Sequence, residues 1–171
     1  MSTTMKKICS IFIGAVTAPA AGQWIDLPAS NEEIQSIIDE IQRTECEEVM
    51  ISDFEGVLNV GEYTNIHDLN ELCETLIDFD EEQLEALEII SQYEDQAEAV
   101  EAVENGQYKI YRDCWDMSEV AQIVAVECGD LDRIPDDLQC YFDYEKYGRD
   151  LEINGKFVRL TNSIGYLEYW F

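Results

Sequence analysis

The residues in this chain best equipped for chemistry are carboxylates, and their spacing follows helices. Glu71, Glu74 and Asp78 lie three and four apart, as do Glu81, Glu85 and Glu88, and Glu94, Glu98 and Glu101. Side chains at those separations share one helix face, with Cβ atoms about 5–6 Å apart. The chemistry of such rows is electrostatic: a line of fixed negative charge at a spacing comparable to that of phosphates along one DNA strand, where the axial rise is about 3.4 Å per nucleotide. Other carboxylate chemistry finds less support. Asp78, Asp80, Glu81 and Glu82 cluster tightly but lack the glycine and terminal glutamate of an EF-hand loop. Paired carboxylates of the glycosidase type are compatible with any protein this acidic, so composition leaves them open. His67 is the only histidine, which excludes a two-histidine metal site and leaves no Ser-His-Asp set; it is expected on a helix surface. No P-loop or dinucleotide fingerprint occurs. The expectation is a protein that is not an enzyme and needs no cofactor or metal.

The charge balance narrows the partner. Ten Lys and Arg face 38 Asp and Glu, a formal net charge of −28 over 171 residues. Nucleic acid is excluded as a direct ligand on this balance, because binding it requires cations to neutralise phosphates. A basic protein, or a protein with a basic groove, is the natural complement. At about one charge per ~1.7 Å of duplex axis, the net charge matches roughly 14 base pairs, and a dimer roughly 28. Position matters more than the total. From Thr44 to Tyr108 there is no Lys or Arg and there are 20 acids: Glu45, Glu47, Glu48, Asp53, Glu55, Glu62, Asp68, Glu71, Glu74, Asp78, Asp80, Glu81, Glu82, Glu85, Glu88, Glu94, Asp95, Glu98, Glu101 and Glu104. The i, i+4 Glu–Lys pairs that support ordinary helices are impossible there. A charge run is usually only a solvated face, and adaptation to salt would also favour acid. Salt adaptation would spread that acid evenly, whereas here the cations are kept to the two ends of the chain.

With 46% hydrophobic and 11% aromatic residues the chain has the means to bury a core, unlike a disordered acidic tail. The six cysteines (9, 46, 73, 114, 128 and 140) show no CxxC spacing and read as buried free thiols in a reducing, cytoplasmic setting. Lys6 and Lys7 before the apolar run Ile8–Val16, followed by Ala18-Pro19-Ala20-Ala21, imitate a processed signal segment. The β-branched and aromatic content of that run favours an opening strand. No stretch is long enough to span a membrane.

Periodicity divides the chain into three parts. Residues 1–61 read as a small sheet plus a helix: the opening strand, a short extended piece Trp24–Pro28, a capping box from Ser30 to Glu33, and a stripe Ile34, Ile37, Ile38, Ile41. Val49–Ser52 is expected as a third strand. Residues 62–106 read as acidic helices. Thr64 or Asn65 caps the first, with Ile66, Leu69, Leu72, Cys73, Leu76 and Ile77 inward. Asp80 caps the second, with Leu84, Leu87 and Ile90 inward. The third carries Ala97, Val100 and Val103 inward and ends at Gly106. Residues 107–171 return to mixed structure. A strand Tyr108–Tyr111 precedes a helix opened by Asp116 or Ser118, with Val120, Ala121, Ile123 and Val124 buried and Gly129 stopping it. A helix is expected to begin at Pro135. Asn154-Gly155 is a hairpin signal joining Leu151–Ile153 to Phe157–Leu160, and Gly165–Trp170 supplies a further strand.

The run Ile134-Pro135-Asp136-Asp137-Leu138-Gln139-Cys140-Tyr141-Phe142-Asp143-Tyr144-Glu145-Lys146-Tyr147-Gly148-Arg149-Asp150-Leu151 resembles the signature of the ArdA antirestriction family. Glu62-Tyr63-Thr64-Asn65-Ile66 with Leu69-Asn70, Asp113-Cys114 with Asp116-Met117 and Val120-Ala121, and Trp24 with Pro28 resemble further family segments, in order and at matching length. The first twenty residues depart from the family pattern.

The resemblance implies an acidic, elongated α+β protein of three small domains in series: mixed, helical, mixed. It implies a homodimer joined through the C-terminal part, carried by a mobile genetic element. It further implies mimicry of double-stranded DNA that competitively blocks the groove of a type I restriction–modification enzyme. Its mimic surface is expected on the fifteen acids from Glu62 to Glu104. Pro135, Leu138, Gln139, Tyr141, Asp143, Tyr144, Tyr147, Gly148, Arg149 and Asp150 are expected in a scaffold or dimer role, with Gly148 supplying a positive-φ turn and Arg149 pairing locally with Asp150. The alternative is an acidic adaptor or chaperone for a basic DNA-binding protein.

Overall fold

The computed structural model describes residues 6–45 and 48–171. The strands are β1 (Cys9–Ala15), β2 (Ala18–Leu27), β3 (Val49–Gly56), β4 (Tyr108–Arg112), β5 (Lys156–Arg159) and β6 (Gly165–Tyr169). The helices are α1 (Asn31–Glu45), α2 (Ile66–Thr75), α3 (Glu81–Ile90), α4 (Gln96–Glu104), α5 (Met117–Glu127) and α6 (Tyr144–Asn154). The protein is therefore mixed α+β, with two antiparallel three-stranded sheets among the described residues, ordered β2-β1-β3 and β4-β6-β5. The chain divides into two compact units, Met1–Gln92 and Tyr93–Phe171.

Alternation along β1 sets the core of the first unit. Cys9, Ile11, Ile13 and Ala15 are fully buried on one face, and α1 packs on this sheet with Ile34, Ile37 and Ile41 buried. Ser30 Oγ accepts from Glu33 N at 3.2 Å, which fixes where that helix starts. The opening strand is thus present as expected. The second extended piece is longer than expected, because the small residues that imitate a cleavage site belong to β2. Asn70, on α2 and buried, accepts from Ala29 N at 2.8 Å and donates to Ala29 O at 3.0 Å, tying α2 to the β2–α1 connection.

In the second unit Tyr111, Cys114, Met117, Val120 and Val124 form a buried cluster, and Tyr147, Leu151, Phe157 and Tyr166 pack against it. Three buried or half-buried phenols here donate to carboxylates: Tyr111 to Glu168 at 2.7 Å, Tyr147 to Asp130 at 2.7 Å, and Tyr169 to Glu94 at 3.0 Å. In a chain with so few cations, tyrosine takes part of the role that lysine has elsewhere. Burial first, and the facing carboxylate second, push Tyr147 and Tyr169 up to about 12 and Tyr111 further in the same direction. The fold therefore favours the neutral phenols. That contribution is fully present below the ordinary phenol value near ~10 and is lost as pH rises through the folded value. An ultraviolet titration followed alongside circular dichroism should show three tyrosines ionising late and together with unfolding. All nine tyrosines titrating near ~10 with the fold intact would contradict these bonds.

Five expectations need correction. Asn154-Gly155 makes no hairpin turn: Asn154 ends α6 and Gly155 N bonds Leu151 O at 2.7 Å, so the expected strand Leu151–Ile153 is helical. Its cause is the stripe Tyr144, Tyr147, Leu151 behind an N-cap at Asp143, whose carboxylate accepts from Lys146 N at 3.0 Å. Gly148 has no positive φ; it lies inside α6, against α5. Ala97 and Ile123 face outward, because the buried stripes are Ala99, Val100, Ala102, Val103 on α4 and Met117, Val120, Ala121, Val124, Ala125 on α5. Cys128 and Cys140 are exposed thiols, whereas Cys9, Cys73 and Cys114 are buried; Cys46 lies outside the described residues. The helix expected at Pro135 is a turn closed by Leu138 N to Pro135 O at 2.8 Å, followed by a 3-10 turn at Gln139–Tyr141.

Candidate functional site

The acids singled out from the sequence fall on both units, and each unit presents its own set. In the first, α2 carries Asp68, Glu71 and Glu74, a 3-10 turn at Leu76–Asp78 carries Asp78, and α3 carries Glu81, Glu82, Glu85 and Glu88. All are exposed except Glu85 and Glu88, which are half-buried, and Glu62 is exposed in the loop before α2. The 3-10 turn interrupts the row expected from Glu71 to Asp78, so Asp78 does not continue the α2 face. In the second unit, α4 presents Glu98, Glu101 and Glu104, spaced by three, opposite its buried apolar stripe.

Asp80, Asp95, Glu74 and Glu94 are among the acids held by structural partners. Asp80 caps α3 in a full capping box: its carboxylate accepts from Gln83 N at 2.8 Å while Gln83 Oε1 accepts from Asp80 N at 2.9 Å. Asp95 caps α4 through Ala97 N at 2.9 Å. Glu74 accepts from Asn70 Nδ2 at 3.2 Å. Glu94 precedes α4 and accepts from Lys156 Nζ at 2.7 Å and from the Tyr169 hydroxyl; the Lys156 bond foremost holds its carboxyl below the usual range. The expected row Glu94–Glu98–Glu101 therefore begins with a neutralised member. Removing a cap typically costs about 1 kcal/mol. Asp80→Ala should accordingly lower stability by about that much in denaturant titration, while Glu81→Gln one position on should leave it within about 0.5 kcal/mol.

Local energetics run against this charge. Helices α2, α3, α4 and α5 have no basic residue in their last turn, where cations ordinarily contribute about 0.3–1 kcal/mol against the helix dipole. Side-chain caps at Asn65, Asp80, Asp95, Asp116 and Asp143 offset part of that cost at the other ends. Asp116 is the strongest example. Its Oδ1 accepts from Ser118 Oγ at 2.6 Å and Ser118 N at 2.9 Å, bonds that hold its carboxyl below the usual range.

The C-terminal motif residues divide between packed and exposed positions. Gln139 Nε2 donates to Leu131 O and Ile134 O, both at 3.2 Å. Phe142 meets Tyr144 at a tilt and Tyr147 edge to face, with ring centres 4.9 and 5.3 Å away. Pro135, Leu138, Tyr141, Arg149 and Asp150 are exposed. His67 is half-buried, with Nδ1 3.3 Å from Asn31 Oδ1. Among the described residues no three His, Cys, Asp or Glu converge as a metal site, and no helix is long and apolar enough to cross a membrane. Sequence reasoning centred the acidic surface on 62–104 and so passed over Glu32, Glu33, Asp39 and Glu40, all exposed on α1. The stripe Ile34, Ile37, Ile41 already implied that these acids point outward.

Fold and surface together define a mixed α+β protein of net charge −28 whose central helices carry many carboxylates and no Lys or Arg of their own. The profile of the antirestriction protein (ArdA) family matches residues 17–167, nearly the whole chain, and the protein belongs to that family. A comparison with curated proteins gave no match. Membership implies antirestriction function directed at a restriction–modification enzyme.

Proposed function

We propose that this protein mimics double-stranded DNA and competitively occupies the DNA groove of a type I restriction–modification enzyme. It acts as a cytoplasmic homodimer without chemistry of its own and binds neither nucleic acid nor membrane. In this reading the chain is organised as three small domains in an elongated series, with the acidic helices between two mixed parts and the C-terminal part joining the protomers. It travels with a mobile genetic element, whose incoming DNA such an inhibitor would protect.

One observation carries the reading. The segment from Thr44 to Tyr108 contains 20 acids and no cation, and its helices forgo the basic C-terminal residues that would stabilise them. Charge kept at a cost to local stability is charge with a use, and a groove lined with Lys and Arg for phosphates is its complement.

Competition tests it. Labelled duplex bound to a purified type I enzyme should be displaced by the protein, and displacement should weaken steeply as salt is raised to about 0.5 M, because screening shortens the reach of exposed charge. DNA that stays bound while activity falls, or inhibition indifferent to salt, would overturn the proposal. An acidic adaptor would instead bind a free basic protein and leave this enzyme untouched.

A further inference from the structure

One face of the first sheet is covered by α1; the other carries an aromatic and acidic row. Register places Trp24 on β2 and Asp53 on β3 directly opposite Phe12 on β1, so the three side chains stand on one face. Their parity is opposite to that of Ile11, Ile13 and Ile25, which are buried in the core. Phe12 and Trp24 meet edge to face with ring centres 5.6 Å apart, and Trp24 keeps 44% of its surface exposed.

The row forms the floor of an open recess of about 420 Å³ lined also by Pro19, Ala20 and Ser52. The wall is built in. Gly14 lies so close under the start of β2 that a Cβ there would stand 2.5 Å from Pro19 O, and Ser52 Oγ donates to the same carbonyl at 3.0 Å. Glu55, in the next row of the same face, is exposed like Asp53. Asp26 in that row is already engaged by Lys7 at 3.3 Å and by Ser10, so Asp53 and Glu55 supply the nearby charge.

An exposed indole face beside carboxylates suits a planar, delocalised cation. A guanidinium can stack on the ring and bond a carboxylate at its edge, whereas an ammonium is a compact, strongly hydrated point charge. We propose that the Phe12–Trp24–Asp53 recess receives an arginine side chain of the protein partner, adding a specific anchor to the diffuse acidic field. The inference rests on the proposed DNA-mimic function only for the identity of that partner, since a DNA groove presents arginines for phosphate contact.

The test uses the full-length protein with fluorescent hexa-arginine and hexa-lysine peptides at one ionic strength. Wild type should bind the arginine peptide about tenfold more tightly than the lysine peptide. Trp24→Leu, which keeps apolar bulk on an exposed edge strand, should reduce that ratio to about one through the arginine affinity alone, and Trp24→Phe should retain most of it. A ratio near one in wild type, or one unchanged by Trp24→Leu, overturns the assignment. DNA displacement from the type I enzyme is measured in parallel. If wild type fails there while the peptide preference holds, the DNA-mimic function falls and the arginine site stands.

Discussion

Gly148→Ala should destabilise the second unit by about 2 kcal/mol, although alanine is the better helix former. In an isolated helix the exchange would stabilise by about 0.5–1 kcal/mol. Here a Cβ at position 148 would lie 2.3 Å from Met117 O, 2.6 Å from its carbonyl carbon and 3.1 Å from Ser118 N. These are backbone atoms at the first turn of α5, so no side-chain rotation relieves the overlap. The two helices must separate, and the separation loosens the cluster of Met117, Val120 and Val124 against Tyr147 and Leu151. Overpacking of this kind costs about 1–3 kcal/mol, which exceeds the propensity gain. Gly106→Ala is the control: a Cβ there meets nothing within 4 Å, so only the strain of φ +63° opposes it. Denaturant titration read through Trp115 and Trp170 reports on the second unit. A rise in midpoint for Gly148→Ala would mean that α5 and α6 do not approach as described.

The same glycine shows why sequence reading stopped where it did. Local signals were sufficient where a single element settles its own form. Asn65, Asp80 and Asp116 cap the helices they precede, and Gly106 and Gly129 adopt the positive φ that ends α4 and α5. The isoleucine stripe of α1 faces the sheet for the same reason. Position 148 failed because glycine argues locally against a helix interior, and its reason for being there is a backbone 31 residues earlier. With α6 hidden, the Asn154-Gly155 pair looked like a turn. Exposure of Ile123 followed a similar course: composition marks it as apolar, and only the contact between α5 and α6 decides which face is covered. The acidic rows were legible within each helix and not beyond. Nothing near Glu94 in sequence announces that Lys156, 62 positions away, takes its charge.

Neutralising ten carboxylates together should lower affinity for the restriction–modification enzyme by roughly 100-fold at low salt while leaving the protein as stable as before or more so. The ten are Glu62, Asp68, Glu71, Glu74, Asp78, Glu81, Glu88, Glu98, Glu101 and Glu104, changed to Gln or Asn. Asp80 and Asp95 are spared because they cap helices, and Glu94 because Lys156 and Tyr169 hold it; Glu74 becomes Gln, whose Oε1 can still accept from Asn70 Nδ2. Each exposed charge contributes about 0.3 kcal/mol to a distributed field, within the range of exposed pairs. Any single change should therefore be hard to detect, whereas ten amount to about 3 kcal/mol, or roughly two powers of ten. Stability moves the other way. These residues repel their helical neighbours at i+3 and i+4; Glu74, Glu88, Glu101 and Glu104 in last turns also oppose the dipole, while Asp68, Glu81 and Glu98 in first turns are favoured by it, so the amides together give a small net relief. This opposition of sign separates function from folding: a variant that merely unfolded would lose affinity and midpoint together. The slope of affinity against salt should also flatten, since fewer charges remain to be screened. If the tenfold-neutralised protein still displaced DNA as well as wild type, the carboxylate field would have no part in inhibition, and the cation-free segment from Thr44 to Tyr108 would be a solvated surface only.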